Sequence, residues 1–435
     1  MSAGPKRWDP EFERATYSKV TWRIMPFLFL CYLLAFINRV AVSFAKLQMQ
    51  TDLHMSDAVY GIGAGIFFIG YFFFEVPANM MLGKLGARRW LGPIMIVWGL
   101  VSVVTIYVRG TYSYYAARLL LGVVESGFFP GVILYLTFWY TRTHRAKMVS
   151  AFMTAIPFSG VVAGPISGWV MSRMTGLAGL TSWQWLFIAD GIPSVIAGIV
   201  TLYYLPDGPK EAHWLSEDEK SLIAQRLEEE ETLKKGGGGK HHIGDVFRSG
   251  KVWLMCAIYF GINMGSYGLS FWLPQLIKER ISQDPLKIGW ITVIPWAVAT
   301  VGMILVGQHS DARGERRWHV AGSLFLGACA FAASAIPGIP GWASVVTLAL
   351  AAAGIMGANS TFWTLPTSVL SGAAAAAGIA WVNSVGNLSG YLSPFLVGEI
   401  RDRTHSMFLA LLVLSAAALM GGAVTLYVAR EKKAG

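Results

Sequence analysis

Three charged residues, Arg39, Arg118 and Glu125, interrupt long apolar stretches of this 435-residue chain. A charge at the centre of a bilayer costs about 2.5–3.5 kcal/mol on insertion scales, so a charge that is kept there is a functional candidate. Two arginines at one level can bind a carboxylate, because their planar guanidinium forks form paired hydrogen bonds. The alternatives are arginines that extend toward the outer surface, or that pair with a structural carboxylate.

Uncharged groups that could complete a binding cavity lie in other apolar stretches: Tyr71, Asn263, Tyr267, Trp363, Asn383 and Asn387. Asn383 and Asn387 are four residues apart, so they share one face of a helix. Hydrogen bonding between membrane helices explains an asparagine in such a stretch equally well. We expect Glu75 to anchor the end of its helix or to pair with Arg88 or Arg145, with proton coupling as the alternative.

The composition identifies the elements that must position these residues. Hydrophobic residues make up 54% of the chain and charged residues only 14%, whereas a soluble domain is about one quarter charged. Soluble enzymes, nucleic-acid-binding proteins and disulfide-stabilised secreted domains are therefore excluded. A membrane helix needs about 20 apolar residues. Twelve such runs predict an all-α membrane protein with twelve transmembrane helices, roughly at 24–46, 59–82, 91–108, 112–139, 147–172, 184–205, 252–277, 288–308, 319–337, 342–366, 378–400 and 406–429.

The basic residues assign the two sides of the membrane. With a cytoplasmic N-terminus, 25 of the 35 basic residues fall in cytoplasmic segments and 8 in outer loops, as the positive-inside rule requires. Both termini are then cytoplasmic. On this orientation Arg39 lies roughly 22 Å from the cytoplasmic end of its helix, and Arg118 lies roughly 9 Å below the outer face. Both therefore belong to the outer half of a core about 30 Å thick.

The longest polar stretch divides the chain into two sets of six spans. It contains a charge-rich helical pattern that Ser216 is placed to cap. The predicted organisation is a cytoplasmic N-terminal segment (1–23), an N-terminal six-helix half (24–205), a cytoplasmic linker (206–251), a C-terminal six-helix half (252–429) and a cytoplasmic tail (430–435).

Two cytoplasmic loops at matching positions of the halves share a pattern. The first reads GKLGARRW (83–90) and the second reads GQHSDARGERRW (307–318). Internal repeats in a membrane protein indicate a transporter with its binding site at the repeat interface. We predict that the charged residues of these loops latch the inner ends of the halves in the outward-open state: Arg88, Arg89, Asp311, Arg313 and Arg317. A simple basic turn on the cytoplasmic side is the alternative.

The two loops resemble the signature loop of the major facilitator superfamily, although Lys84 stands near the acidic position of the first copy. Further segments resemble the anion:cation symporter family within it, in the bacterial branch of phthalate, tartrate and related organic acid permeases. The resemblance covers about residues 20–430. The segments are RLLLGVVESGFFPG (118–131), GVVAGPISG (160–168), YGLSFWLPQLIK (267–278) and AWVNSVGNLSGYLSP (380–394).

The resemblance implies a fold of two six-helix halves and proton-coupled symport of an organic carboxylate by alternating access. It also implies that Arg39 and Arg118 engage the anion and that Glu125 carries the coupling proton. Relatives often have an aspartate just before the arginine of the first span. Asn38 stands there in this chain and cannot titrate, so no second proton site is expected at that position.

Other functions remain as alternatives. An organic anion exchanger, a passive facilitator or a transporter-like receptor would have the same helices. No zinc-protease motif, phosphate-binding loop or cysteine pair supports a membrane-bound enzyme. We expect no cofactor, metal or nucleic-acid partner, and a monomer in contact with lipid that takes a small organic anion and a proton. The sequence leaves phthalate, tartrate and sugar acids open as substrates.

Overall fold

The computed structural model describes residues 8–236, 248–365 and 372–428, and within these ranges it contains helices and no strands. The α-helices are α1 (Pro10–Asp52), α2 (Asp57–Leu85), α3 (Ala87–Val104), α4 (Thr111–Glu125), α5 (Phe128–Thr137), α6 (Arg142–Met153), α7 (Ala155–Arg173), α8 (Ser182–Tyr204), α9 (Glu217–Gly236), α10 (Gly250–Arg280), α11 (Pro285–Arg313), α12 (Arg317–Ala335), α13 (Gly341–Phe362), α14 (Gly372–Asn387), α15 (Ser389–Thr404) and α16 (Phe408–Val428).

Eleven helical segments among the described residues are long and apolar enough to cross a membrane. The predicted span at 378–400 is divided at Leu388 between α14 and α15, which have 16 residues each. Neither helix alone reaches the roughly 20 residues that a bilayer requires, but the two follow each other directly. The predicted all-α fold of a multi-pass membrane protein is confirmed.

Two predicted spans are broken by proline. Pro130 has no N–H to donate to the carbonyl of Ser126, four residues earlier, and its ring crowds that carbonyl. Helix α4 accordingly ends at Glu125, and α5 begins three residues later. In the same way α6 ends at Met153, four residues before Pro157. Glu125 therefore lies at a bend inside the fourth predicted span.

The first helix is longer than the predicted span at 24–46. It begins at Pro10, and the α9 segment of the linker packs against this extension through an ion pair of 2.5 Å between Arg226 Nη2 and Glu13 Oε2. The predicted cap at Ser216 is confirmed. The backbone N–H of Glu219 donates to Ser216 Oγ at 3.2 Å, and the N–H of Ser216 donates to Glu219 Oε2 at 2.7 Å, which is a capping box.

The two halves are in close contact at one end of the bundle, which contains the α1–α2 and α10–α11 connections. We call it the outer end, after the side that the basic residues predict. A Cβ atom on Gly398 would lie 2.3 Å from the carbonyl oxygen of Asp57, and one on Gly164 would lie 2.5 Å from that of Gly289. Glycine permits such approach of helix backbones. These contacts join α2 to α15 and α7 to α11, across the two halves.

A cluster of charged residues holds the same end closed. Asp57 forms an ion pair of 2.7 Å with Lys46 Nζ through Oδ1 and another of 2.7 Å with Arg401 Nε through Oδ2. Arg401 also pairs with Glu279, and Asp402 Oδ1 accepts from the backbone N–H of Asp57 at 2.8 Å. We call these five residues the outer charge cluster. It connects α1 and α2 of the N-terminal half to α10 and α15 of the C-terminal half, and sequence reasoning had counted its basic members only as outer-loop charges.

We expect Arg401→Gln to open the outer end, because the variant loses the ion pairs that join Asp57 to the other half. The probe is a cysteine in place of Ser270, which lines the space just below this end, in a chain whose Cys31, Cys256 and Cys329 are replaced by serine. Its labelling by an impermeant maleimide added outside should become at least about tenfold faster. Arg403→Gln is the matched control on α15, because Arg403 is 77% exposed and pairs with Glu399 of its own helix. Equal labelling rates in the two variants would contradict the role of the cluster.

Candidate functional site

A cavity lies between the two halves, below the outer end. It contains six of the eight predicted substrate-binding residues in its lining: Arg39, Tyr71, Asn263, Tyr267, Asn383 and Asn387. Aromatic side chains of the N-terminal half form one wall, among them Tyr32, Phe36, Phe68 and Phe129. The opposite wall consists mainly of amide and hydroxyl side chains from the C-terminal half.

Arg39 is the charged residue among the described residues that line the cavity. Its guanidinium lies 4.6 Å from the ring centroid of Phe36, 5.0 Å from that of Phe67 and 5.6 Å from that of Tyr71. Its Nε donates to Glu125 Oε1 at 3.1 Å, and its Nη2 pairs with the same oxygen. The aromatic faces and the carboxylate together compensate the charge in a site where Arg39 is only 8% exposed.

Glu125 lies behind this arginine. It is 2% exposed and does not itself line the cavity. Arg118 stands seven residues before Glu125, about 10 Å away along one helix, which is too far for a direct ion pair. The partner of Glu125 is instead Arg39, from α1. The bend after Glu125 leaves this carboxylate at the end of α4, where it faces the first helix.

The position of Arg118 differs from the prediction that both arginines face the same ligand. It is fully buried, lies 5.2 Å from the ring centroid of Phe67 and does not line the cavity. Its three guanidinium nitrogens have no hydrogen-bond partner among the described residues. Depth along a helix had placed the two arginines at one level, but it does not determine which side of a helix faces the cavity. Of these two arginines, Arg39 alone lines the cavity in this conformation.

The wall formed by the C-terminal half, which we call the amide wall, contains residues that were not predicted from the sequence. Asn359, Ser266 and Tyr259 line the cavity beside the predicted asparagines. Asn359 carried the same signal as Asn263, a single asparagine within an apolar helix. Trp363, which was predicted to bind substrate, packs edge-on against Tyr259 with centroids 4.7 Å apart and stands behind the lining. The hydroxyl of Tyr267 donates to Asn387 Oδ1 at 3.3 Å, within the same half.

Glu75 does not pair with Arg88 or Arg145 as expected. It is 8% exposed, and its Oε1 accepts from Asn383 Nδ2 at 3.3 Å while its Oε2 accepts from Ser384 Oγ at 3.4 Å. Glu75 is one helical turn from Tyr71, so both lie on the face of α2 that is directed toward the cavity. The expectation failed because both basic partners were chosen by their side of the membrane, without knowledge of which helix α2 faces.

Three of the predicted gating residues form contacts within their own half or with the start of the linker. The backbone N–H of Arg88 donates to Asp207 Oδ1 at 2.8 Å, Asp311 pairs with Arg316 at 2.6 Å, and Arg317 Nη2 donates to the carbonyl of Leu426 at 3.0 Å. Arg89 and Arg313 are exposed. None of these contacts crosses between the halves. The latch was predicted for the opposite, outward-open state, and it stays a prediction.

Comparison with known proteins agrees with this architecture. The chain matches the model of the Major Facilitator Superfamily over residues 28–394. A protein of Agrobacterium vitis, provisionally named a tartrate transporter, is 44% identical over 426 residues, which are 97% of this chain and 96% of the relative. NicT of Pseudomonas putida, provisionally named a metabolite transport protein, is 44% identical over 400 residues, which are 92% of this chain and 91% of the relative.

The solved structures show the same fold at low sequence identity. The xylose transporter XylE of Escherichia coli, in a partially occluded inward open conformation, has a TM-score of 0.72 and 15% identity, over 92% of this chain and 96% of that chain. These relatives and structural neighbours are transporters and not enzymes. With its family match, its relatives and its helical fold in agreement, the chain belongs to the major facilitator superfamily, and its relatives are consistent with an organic acid permease branch.

Proposed function

We propose that this protein couples the uptake of an organic carboxylate to protons by alternating access. The observation that carries the proposal is the buried pair of Arg39 and Glu125 at the cavity wall. Arg39 is the one residue of the pair that a ligand in the cavity reaches, and its only carboxylate partner among the described residues is Glu125.

The coupling follows from the balance of buried charge. A substrate carboxylate that binds Arg39 takes over the guanidinium that Glu125 occupies in this structure. An ionised Glu125 left without that partner would be a buried, uncompensated charge, which is costly. Protonation of Glu125 removes the cost. Substrate and proton therefore occupy the site together, and release of either one to the cytoplasm favours release of the other.

Arg118 supplies the second positive charge of the proposed site. Its unpartnered nitrogens are donors that burial makes costly to leave unused. We propose that they are used by the second carboxylate of a substrate when the halves rearrange around it. The relative named for tartrate transport supports a small dicarboxylic acid as the substrate.

The remaining features of the proposal concern placement in the membrane. Both termini lie in the cytoplasm of a bacterial inner membrane, and the protein acts as a monomer with the domain boundaries given above. The cytoplasmic loops containing Arg88–Arg89 and Asp311–Arg317 close the inner end when the outer charge cluster opens. The cavity then alternates between the two sides.

The test uses the full chain in proteoliposomes. With the outside more acidic than the lumen, uptake of labelled tartrate, phthalate or galactarate is expected to exceed the equilibrium level and to stop when a protonophore is added. The dimethyl ester of the transported acid should not compete, because it has no carboxylate for Arg39. Uptake that needs an internal anion and no pH gradient would favour an exchanger instead. Binding without flux would favour a receptor.

A further inference from the structure

The contacts of Glu75 connect it to the substrate cavity through another residue. Glu75 does not line the cavity, whereas its partner Asn383 does. The two residues belong to opposite halves, α2 and α14. Their hydrogen bond of 3.3 Å, with that of 3.4 Å from Ser384 Oγ, brings two donors to the two oxygens of one carboxyl group. Both oxygens of the Glu75 carboxyl group therefore act as hydrogen-bond acceptors in this structure.

The carboxylate determines which end of the Asn383 side chain a ligand meets. An amide has an NH₂ donor at one end and a carbonyl acceptor at the other. Because Glu75 accepts, the NH₂ group must turn toward it, and the carbonyl oxygen Oδ1 is directed away. A neutral partner such as glutamine could donate or accept, and it would leave both orientations of the Asn383 amide open.

A second acceptor lies in the same wall. Asn359 is 8% exposed and lines the cavity, and its Oδ1 has no hydrogen-bond partner among the described residues. A buried carbonyl oxygen without a partner is costly, so a bound ligand that donates to it would be favoured. Ionised carboxylate groups have only acceptors at neutral pH, so they cannot donate a hydrogen bond to Oδ1 of Asn383 or of Asn359. The ligand must bring donors of its own.

We infer that Glu75 is a specificity-determining residue that acts through Asn383: it holds the amide oxygen toward the cavity, where it accepts a hydrogen bond from a hydroxyl group of the substrate. The inference rests on the proposed function and narrows it to hydroxy acids. Arg39 binds the carboxylate at the aromatic wall, and the amide oxygens of Asn383 and Asn359 accept hydrogen bonds from the hydroxyl groups. Glu75 is a positioning residue, since it touches Asn383 and not the ligand.

The experiment compares acids that differ only in their hydroxyl groups. Binding to the purified full chain is measured by calorimetry for tartrate and succinate, and for galactarate and adipate. The wild type is expected to bind the hydroxylated acid of a pair at least about tenfold more tightly, as a site with unpaired buried acceptors should. In Glu75→Gln this ratio should fall at least about threefold, with the affinity for the deoxy acid changed less than about twofold.

Asn383→Ala provides an independent test, since it removes the acceptor without touching Glu75. It should lower the same affinity ratio. The double variant should lower this ratio no further than Asn383→Ala alone, because Glu75 acts through Asn383. Glu211→Gln, at an exposed carboxylate of the linker, is the matched control. A ratio unchanged in Asn383→Ala, or equal losses for both acids in Glu75→Gln, would overturn the inference and leave the proposed function standing. Failure of the wild type to bind any of the acids would overturn both.

Discussion

Glu125→Gln is expected to abolish concentrative uptake while leaving exchange of substrate across the membrane intact. Glutamine has the shape of the protonated glutamate and cannot release a proton, so Arg39 stays available to the substrate. In proteoliposomes, accumulation driven by an imposed pH gradient should fall at least about a hundredfold, to the level without a gradient. Counterflow of labelled substrate against an internal pool should remain within about threefold of the wild type.

The control for this variant is Glu399→Gln on α15. Glu399 is a carboxylate at the outer end that pairs with the exposed Arg403, so its loss should affect neither assay. Concentrative uptake by Glu125→Gln would show that the coupling proton travels elsewhere, and Glu75 would then be the next carboxylate to replace. Loss of counterflow together with accumulation would mean that Glu125 is needed for folding or binding and not for coupling alone.

Arg39→Lys should lose most transport even though it keeps the positive charge. Arg39 presents both Nε and Nη2 to one carboxylate oxygen, and its guanidinium lies 4.6 Å from the ring centroid of Phe36. A lysine ammonium is a point charge and does not reproduce the paired donors. We expect the initial rate of uptake at low substrate concentration to fall by about a hundredfold, mainly through a higher KM. The lysine still neutralises Glu125, so the purified variant should remain folded.

Arg403→Lys, at an arginine that is 77% exposed, is the matched control and should transport at the wild-type rate. Uptake by Arg39→Lys within about twofold of the wild type would contradict a carboxylate bound by the guanidinium fork. If the lysine of Arg39→Lys fails to pair with Glu125, the variant should have a lower melting temperature as well as a lower rate of uptake. That measurement separates loss of binding from loss of structure.

The membrane segments could be predicted from the sequence because each is a long apolar run, but the structure divides three of the predicted spans into two helices each. Arg39 could be identified as a candidate because a charge within such a run is rare. The asparagines of α10 and α14 were found for the same reason, and Asn359 of α13 was missed although the same criterion applied to it. Pro130 carried the signal for the bend after Glu125, since the residue four positions earlier can be counted in the sequence.

The partners of these residues could not be predicted in the same way. Spacing along one helix relates Arg118 to Glu125, but whether either meets Arg39 depends on how α1 and α4 are rotated about their axes. The contact of Glu75 with Asn383 joins residues 308 positions apart. The outer charge cluster likewise brings together four helices at their ends. Rotation and pairing are set by side-chain packing over the whole bundle, which no local pattern in the sequence contains.

The glycine contacts at the outer end have a consequence for how this sequence can vary. At Gly398 the opposing half presents its backbone, and at Gly164 it presents the Thr292 hydroxyl together with the backbone of Gly289. A backbone cannot move aside as the end of a flexible side chain can. A single methyl group at either position would therefore act as a wedge that favours the opposite conformation. Selection on the transport cycle would forbid even alanine there. If these glycines are invariant among related chains, the cause would be the contact between the two halves and not contact with a substrate.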